Sequence, residues 1–383
     1  MVTQGTKNHF FGYYGINVWN KSRTHILALE TDFNNRLPNP GELAIIGMVN
    51  LKTRKFEPLT STNAWNQQQG CMMFWNPQKP NEEFYFNDVV DNQLVSIKFN
   101  IRNKTRTVQS YPLSGISHDG RLALSMTYGR ISRLRKVVSY SGTTDPNPGE
   151  AHPANDGVYV VDLETGNRKL IVSYQRMADT IRKRTPEIAD RPLWVEHAEF
   201  SRSGKRILFL PRTWRSNGRD LETGLFTVNA DGSDLRVVVP YGGDVSHFGW
   251  RNDEEIILSY RYTPKGRQHV IVNDAGKPFV PFNNLMWDGH CSFSPDGKWI
   301  LTDGSKSSNP PRNSVRLIHA DTQSDFLLHT FDMAENRFLG GDARCDLHPR
   351  ISDDCRMVCV DAIDPQTHLR QIFVIDVKLI RKR

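Results

Sequence analysis

Apolar residues along this chain come in short runs, each closed by a polar turn, which is how strands joined by tight hairpins read. One arrangement recurs: a turn built from Ser, Asp, Gly or Asn runs straight into a hydrophobic strand. The best copy is SPDGKWILTD, from Ser294. SHDGRLALSM from Ser117, SRSGKRILFL from Ser201, RNDEEIILSY from Arg251 and SDDCRMVCVD from Ser352 follow the same plan. Weaker copies, NKSRTHILAL from Asn20 and NPQKPNEEFYFND from Asn76, bring the set to seven. Each copy is followed by a strand, a turn and another strand, as in GVYVVDLETGNRKLIV from Gly157 or GLFTVNADGSDLRVVV from Gly224. A short apolar stretch also precedes each turn, so every repeat carries four strands.

A four-stranded sheet cannot bury both faces by itself, and packing such sheets around an axis solves this. The signatures recur at intervals of about 40 to 60 residues, the length of one blade, with one longer gap. The expected fold is therefore all-β: one seven-bladed β-propeller domain over residues 1–383, with four-stranded antiparallel blades. The long gap holds two insertions, at about 128–156, rich in Gly, Pro and Ser, and at 174–191, with helical spacing. The seventh repeat ends in KLIRKR with no visible fourth strand.

Composition narrows the partners. No apolar run is long enough to span a bilayer, so no membrane partner is expected. The opening MVTQGTKNHFFGYYG lacks the pattern of a signal peptide. The expected location is cytoplasmic, or periplasmic or secreted if a leader has been removed, and the expected state is a monomer. The formal charge of +7 favours an anionic partner. No nucleic-acid motif is present, which leaves an acidic oligo- or polysaccharide. Five cysteines without tight spacing read as buried free thiols rather than a disulfide scaffold.

Four positions before the polar turn stands a histidine in four consecutive repeats: His197, His247, His290 and His348. Only 12 of the 383 residues are histidine, so composition alone does not produce this recurrence. The strand before the turn is the innermost of its blade, and equivalent inner positions are expected to bring the imidazoles together. A ring bonded inside its own blade is the structural alternative. The chemical ones are metal binding and acid–base catalysis.

His290 and His348 suit a metal, with Cys345 and Asp346 beside them in RCDLHP. On a regular strand Asp346 and His348 share a face and Cys345 points the other way. A divalent cofactor is expected: zinc would favour the cysteine, manganese or calcium the carboxylate. His197 and His247 are candidate acids or bases. Arg212, at the end of ILFLPRTW, is placed to neutralise a carboxylate. Arg215, Arg261 and Gln69 are candidate substrate contacts. Arg130, Arg133, Arg135 and Lys136 in one insertion and Arg176, Arg182, Lys183 and Arg184 in the other read as solvated charge runs or, with Tyr128, Tyr140 and Trp194, as the lining of a sugar cleft.

The segments HFFGYYGINVWNKSRTHILALE, AWNQQQGCMMFW and RCDLHPRIS resemble the propeller-type polysaccharide lyases, the oligogalacturonate lyases and more loosely the ulvan lyases. The resemblance spans nearly the whole chain. It implies β-elimination on a uronic acid, a carbon–oxygen lyase reaction. It also implies a divalent metal on His290 and His348, His247 as base and Arg212 as the neutralising arginine. The family's His-Pro-His-Pro segment reads CDLHP here, so Asp346 replaces one histidine, and the family's upstream glutamine has no clear counterpart. The competing expectations are a non-catalytic propeller that binds an acidic glycan or a protein, and a glycoside hydrolase. The hydrolase ranks last, because it needs two opposed carboxylates and the inner positions read as histidine.

Overall fold

Each repeat folds as its own antiparallel sheet, seven in chain order, and the fold is a seven-bladed β-propeller. The structure is a computed structural model that describes residues 1–188, 190–263, 266–276 and 278–378. Most of KLIRKR therefore lies outside the described residues. Among them, no helix is long and apolar enough to cross a membrane.

The turn signature has a definite physical basis. In the sixth blade the Ser294 hydroxyl donates to Asp296 at 2.5 Å and accepts the Trp299 amide at 3.0 Å. The Gly297 amide closes the turn on the Ser294 carbonyl at 2.8 Å. Gly297 has φ of 68°, a region that favours glycine, whereas the matching Cys355 of the seventh blade holds φ of 56° with a side chain. Ser117 and Ser352 make the same hydroxyl bonds in their blades. The turn thus satisfies its own polar groups and starts the next strand in register.

The chain divides into two compact units. One holds Met1–Gln109, Val137–Gly142 and the chain from Gly289 onward, which supply the first, second, sixth and seventh blades. An apolar cluster packs Trp299, Leu301, Val315 and Leu317 of the sixth blade on Val358, Val360 and Ala362 of the seventh. The seventh sheet consists of Arg350–Ile351, Met357–Ile363 and Arg370–Asp376. The outer edge left by the missing strand is met by the N-terminal residues. Val2 N–H donates to the Ile372 carbonyl and Ile372 N–H to the Thr3 hydroxyl, both at 2.8 Å.

The other unit, Ser110–Lys136 and Thr143–Asp288, holds the third, fourth and fifth blades. Leu208, Leu210 and Leu225 pack there on Phe248, Trp250, Ile256 and Leu258. Both insertions carry helix, Tyr128–Leu134 in the first and Tyr174–Arg182 in the second. The first is rich in Gly, Pro and Ser, a composition that does not announce a helix. It folds because Tyr128, Gly129, Arg130 and Ile131 are all buried.

Candidate metal and acid–base sites

Sheet register builds the first site. Cys291 pairs with Thr302 in the sixth blade, so His290 and Asp303 face each other one step further along the ladder. The His290 amide and Nδ1 both approach Asp303 Oδ1, at 2.9 and 3.0 Å, and the His348 amide donates to Oδ2 at 3.3 Å. The backbones come so close that a Cβ on Gly289 would lie 2.0 Å from the Asp303 carbonyl oxygen. One buried carboxylate therefore fixes the backbone of both histidines and takes Nδ1 of one, so Nε2 is the ring nitrogen of His290 that Asp303 does not hold.

His348 holds φ of 43°, uncommon for a residue with a side chain. The two imidazoles meet edge to face, with centroids 4.4 Å apart. His290, Asp346 and His348 each offer one donor atom within 4.8 Å of the others, and all three are buried. Burial opposes protonation of His290, but Asp303 and Asp346 outweigh it and hold the ring's pKa above the ordinary value. Burial, and then the charge of His290, push His348 well below it. Asp346 Oδ1 accepts from Lys306 Nζ at 2.8 Å and Oδ2 from Arg344 Nε at 2.9 Å. Despite its burial, these cations keep Asp346 ionised. Two imidazoles, one carboxylate and a second carboxylate behind an imidazole fit a divalent metal of the zinc or manganese kind.

Cys345 lies apart from this group. It belongs to the apolar cluster between the sixth and seventh blades, and its Sγ–H points to the Asp361 carbonyl at 3.7 Å. Burial pushes its thiol up to about 12, so the thiolate a metal needs is suppressed. Residues 344–349 form no strand, so strand alternation does not decide the matter here; the packing of Cys345 into the apolar cluster keeps it away from the ligand group.

An N-terminal loop covers the histidine pair. The amides of Phe11 and Gly12 donate to the two oxygens of Asp361, each at 3.0 Å, and Arg350 bonds the Gly12 and Tyr13 carbonyls. Thus anchored, Tyr14 lies 4.8 Å from the His290 ring and Tyr13 6.3 Å from His348, centroid to centroid. Gly12, at φ of 108°, packs on Gln69 and Gly70, where a Cβ would come within 2.3 Å of the Gly70 nitrogen. Gln69 thereby abuts the tyrosine loop, with its own amide held by Asn66 Oδ1 at 2.7 Å.

The second site belongs to the other unit. Along Trp194–Phe200 the register slips between Glu196 and Ala198, so His197 is the extra residue of a β-bulge, with φ of 55°. Glu196 beside it is buried. Its Oε2 accepts from Arg212 at 2.5 Å and Arg135 at 2.6 Å, and its Oε1 from Trp194 Nε1 at 2.6 Å. Although burial opposes ionisation, the two arginines hold the carboxyl down at about 2. Burial drives His197 well below its ordinary pKa, so the ring is neutral. Two guanidiniums on one carboxylate leave a net positive charge beside that neutral ring.

His247 lies in a second irregularity, between Val245 and Phe248 of the fifth blade. Its Nδ1 meets Asp288 Oδ1 at 3.0 Å, an oxygen that also accepts from Ser259 at 2.9 Å. Arg267 bridges Asp288 to Asp244. With Nδ1 committed to a carboxylate, Nε2 of His247 is the nitrogen presented for proton transfer.

Other expected residues fall elsewhere. Arg215 is 45% exposed and sits 3.6 Å from Glu222. Arg261 is 53% exposed and pairs with Asp244 at 2.5 Å. The expected aromatic cleft is corrected: Tyr128, Tyr140 and Trp194 are all buried in the core. Arg130 is buried too and braces the insertion through the carbonyls of Leu193 and Ala151, each at 2.6 Å. Arg176 likewise donates to the Gly232 carbonyl at 2.7 Å. Inner strands also carry carboxylates that the histidine pattern hid, Glu196 and Glu199. Burial pushes Glu199 up to about 8 against the pull of Arg202. Asp303, Lys306, Asp288 and Arg135 were likewise missed, because each acts through a strand or loop distant in sequence.

No protein-family model and no curated protein sequence matches this chain. Among solved structures it is similar to an oligogalacturonate lyase from Vibrio parahaemolyticus, with a TM-score of 0.63 and 14% identity over 98% of this chain and 92% of that one. It is also similar to an oligogalacturonate lyase in complex with manganese, with a TM-score of 0.67 and 12% identity over 98% and 92%. A puromycin hydrolase matches with a TM-score of 0.54 and 12% identity, over 99% of this chain and 53% of that one. At these identities the likeness is one of fold, and the fold is shared with enzymes of more than one reaction class.

Proposed function

We propose that the protein is a polysaccharide lyase that cleaves a uronic-acid-containing glycan by β-elimination. The observation that carries this reading is the His290, Asp346 and His348 donor group with Asp303 behind it, on a fold similar to oligogalacturonate lyases. Elimination needs the substrate carboxylate neutralised, the proton on its α-carbon removed and the leaving oxygen protonated. A divalent ion held by His290, His348 and Asp346 would supply the first of these as a Lewis acid.

The chain's own residues supply the base and the positive charge, and the leaving oxygen takes its proton from solvent water. His247 takes the proton through Nε2, while Asp288 holds Nδ1–H and stabilises the imidazolium that forms. Arg212 and Arg135, sharing Glu196, contribute the excess positive charge that favours an anionic sugar. His197, neutral and next to them, is the second candidate base. Arg215 and Arg261, each partly exposed, remain proposed contacts for further sugar carboxylates, and Gln69 a proposed contact at the tyrosine loop.

The test is ultraviolet absorbance during incubation with oligogalacturonate, rhamnogalacturonan, ulvan and glycosaminoglycans, with and without chelator. A conjugated double bond raises the absorbance for the true substrate, and chelator abolishes the rise. A flat trace with every polymer, from folded protein, would replace this reading with a binding propeller.

A further inference from the structure

The donor group carries a feature that a metal site does not need. Both oxygens of Asp346 already hold cations, Lys306 on Oδ1 at 2.8 Å and Arg344 on Oδ2 at 2.9 Å. Asp346 is thus already matched by two side-chain cations before any ion arrives. A divalent ion entering this buried group would add uncompensated charge within a few Å of an ammonium, where screening is weak.

The two cations differ in how readily they can leave. Arg344 also donates to the Gly341 carbonyl at 3.2 Å, and its side chain is 22% exposed. Lys306 is 33% exposed, and beyond Asp346 its ammonium makes a long 3.3 Å bond to the Leu339 carbonyl. It stands on a tight turn, its amide donating to the Gly304 carbonyl at 2.8 Å. Its flexible stem can carry the ammonium out to water while the turn stays in place.

We infer that Lys306 is a resident counter-ion of Asp346 that competes with a divalent ion for this carboxylate and so sets the metal affinity of the site. The inference rests on the metal-binding half of the function proposed above. In the absence of metal Lys306 neutralises Asp346. When an ion binds, Lys306 swings to solvent. The chain thus tunes its metal affinity with a residue that is not itself a ligand.

Manganese(II) alone is titrated, by calorimetry and by loss of its free-ion magnetic resonance signal, into the native protein, Lys306→Met, Lys306→Arg and a His290→Ala, His348→Ala double variant. Circular dichroism checks the fold, and Lys306→Gln replaces the methionine variant where that fails to fold. Lys306→Met is expected to bind about tenfold more tightly than the native protein, or better. Lys306→Arg should stay close to native, and the double variant should not bind. Native binding through the histidines with no gain in Lys306→Met overturns the inference and leaves the metal reading intact. Binding by Lys306→Met alone supports the inference and removes the metal from the native mechanism. Binding by neither overturns both.

Discussion

Two histidine pairs occupy the same place in the repeat and are furnished for different chemistry. His290 and His348 share one carboxylate, Asp303, which holds ring and backbone together, and a second, Asp346, completes a set of donors. His197 and His247 each face a carboxylate of their own. Glu196 is consumed by Arg135 and Arg212, whereas Asp288 orients His247. A repeat position determines where an imidazole stands. The charges delivered from neighbouring strands and loops determine what it can do.

Breaking the Glu196 cluster should have the largest effect on folding. Glu196→Gln strands two arginines next to a buried amide, and a loss of about 3–5 kcal/mol is expected by urea denaturation. Asp346→Asn should cost clearly less, because Lys306 can turn out to water.

The division of chemistry is sharpened by activity. His247→Ala should lower turnover about 10²- to 10⁴-fold with the fold and manganese affinity unchanged. Equal loss of metal affinity in that variant would erase the distinction between the pairs. Asp303→Asn is the reciprocal change. It should weaken manganese binding about 10- to 100-fold, read by calorimetry, because the carboxylate no longer polarises His290.

The smallest effect concerns two glutamates on one strand. The two arginines hold the Glu196 carboxyl down at about 2, while burial pushes that of Glu199 up to about 8. Its folded pKa lies above its unfolded value of 4.5, so the native state binds the extra proton between them. Its contribution to stability is full below the unfolded pKa and is lost as pH rises through about 8. The thermal stability of Glu199→Gln should decline less than that of the native protein as pH rises from about 5 to about 8, since the amide mimics the protonated acid. Parallel pH curves for the two proteins would show that Glu199 does not titrate there.

Much of the fold was legible because strand periodicity and turn chemistry are local. Ser294, Asp296 and Gly297 satisfy one another within four residues, so the turn announces itself in the sequence. The histidines were legible for the same reason, as a fixed offset from that turn. Cys345 shows where local reading stops. Its neighbours in sequence made it a candidate ligand, and only the packing of two blades turned it into core.

By itself, then, the sequence determined seven repeats of four short strands, a histidine at one inner position of four of them, and the Asp346–His348 spacing. The tertiary structure alone decided the rest. Antiparallel register set Asp303 against His290, 13 residues away, and turns brought Lys306 to Asp346 across 40. A folded insertion delivered Arg135 to Glu196 across 61, and the N-terminal residues met the last strand across the length of the chain. Periodicity reports which face a side chain takes. It does not report which distant charge is paired with it, and the electrostatics of a buried site depend on that pairing.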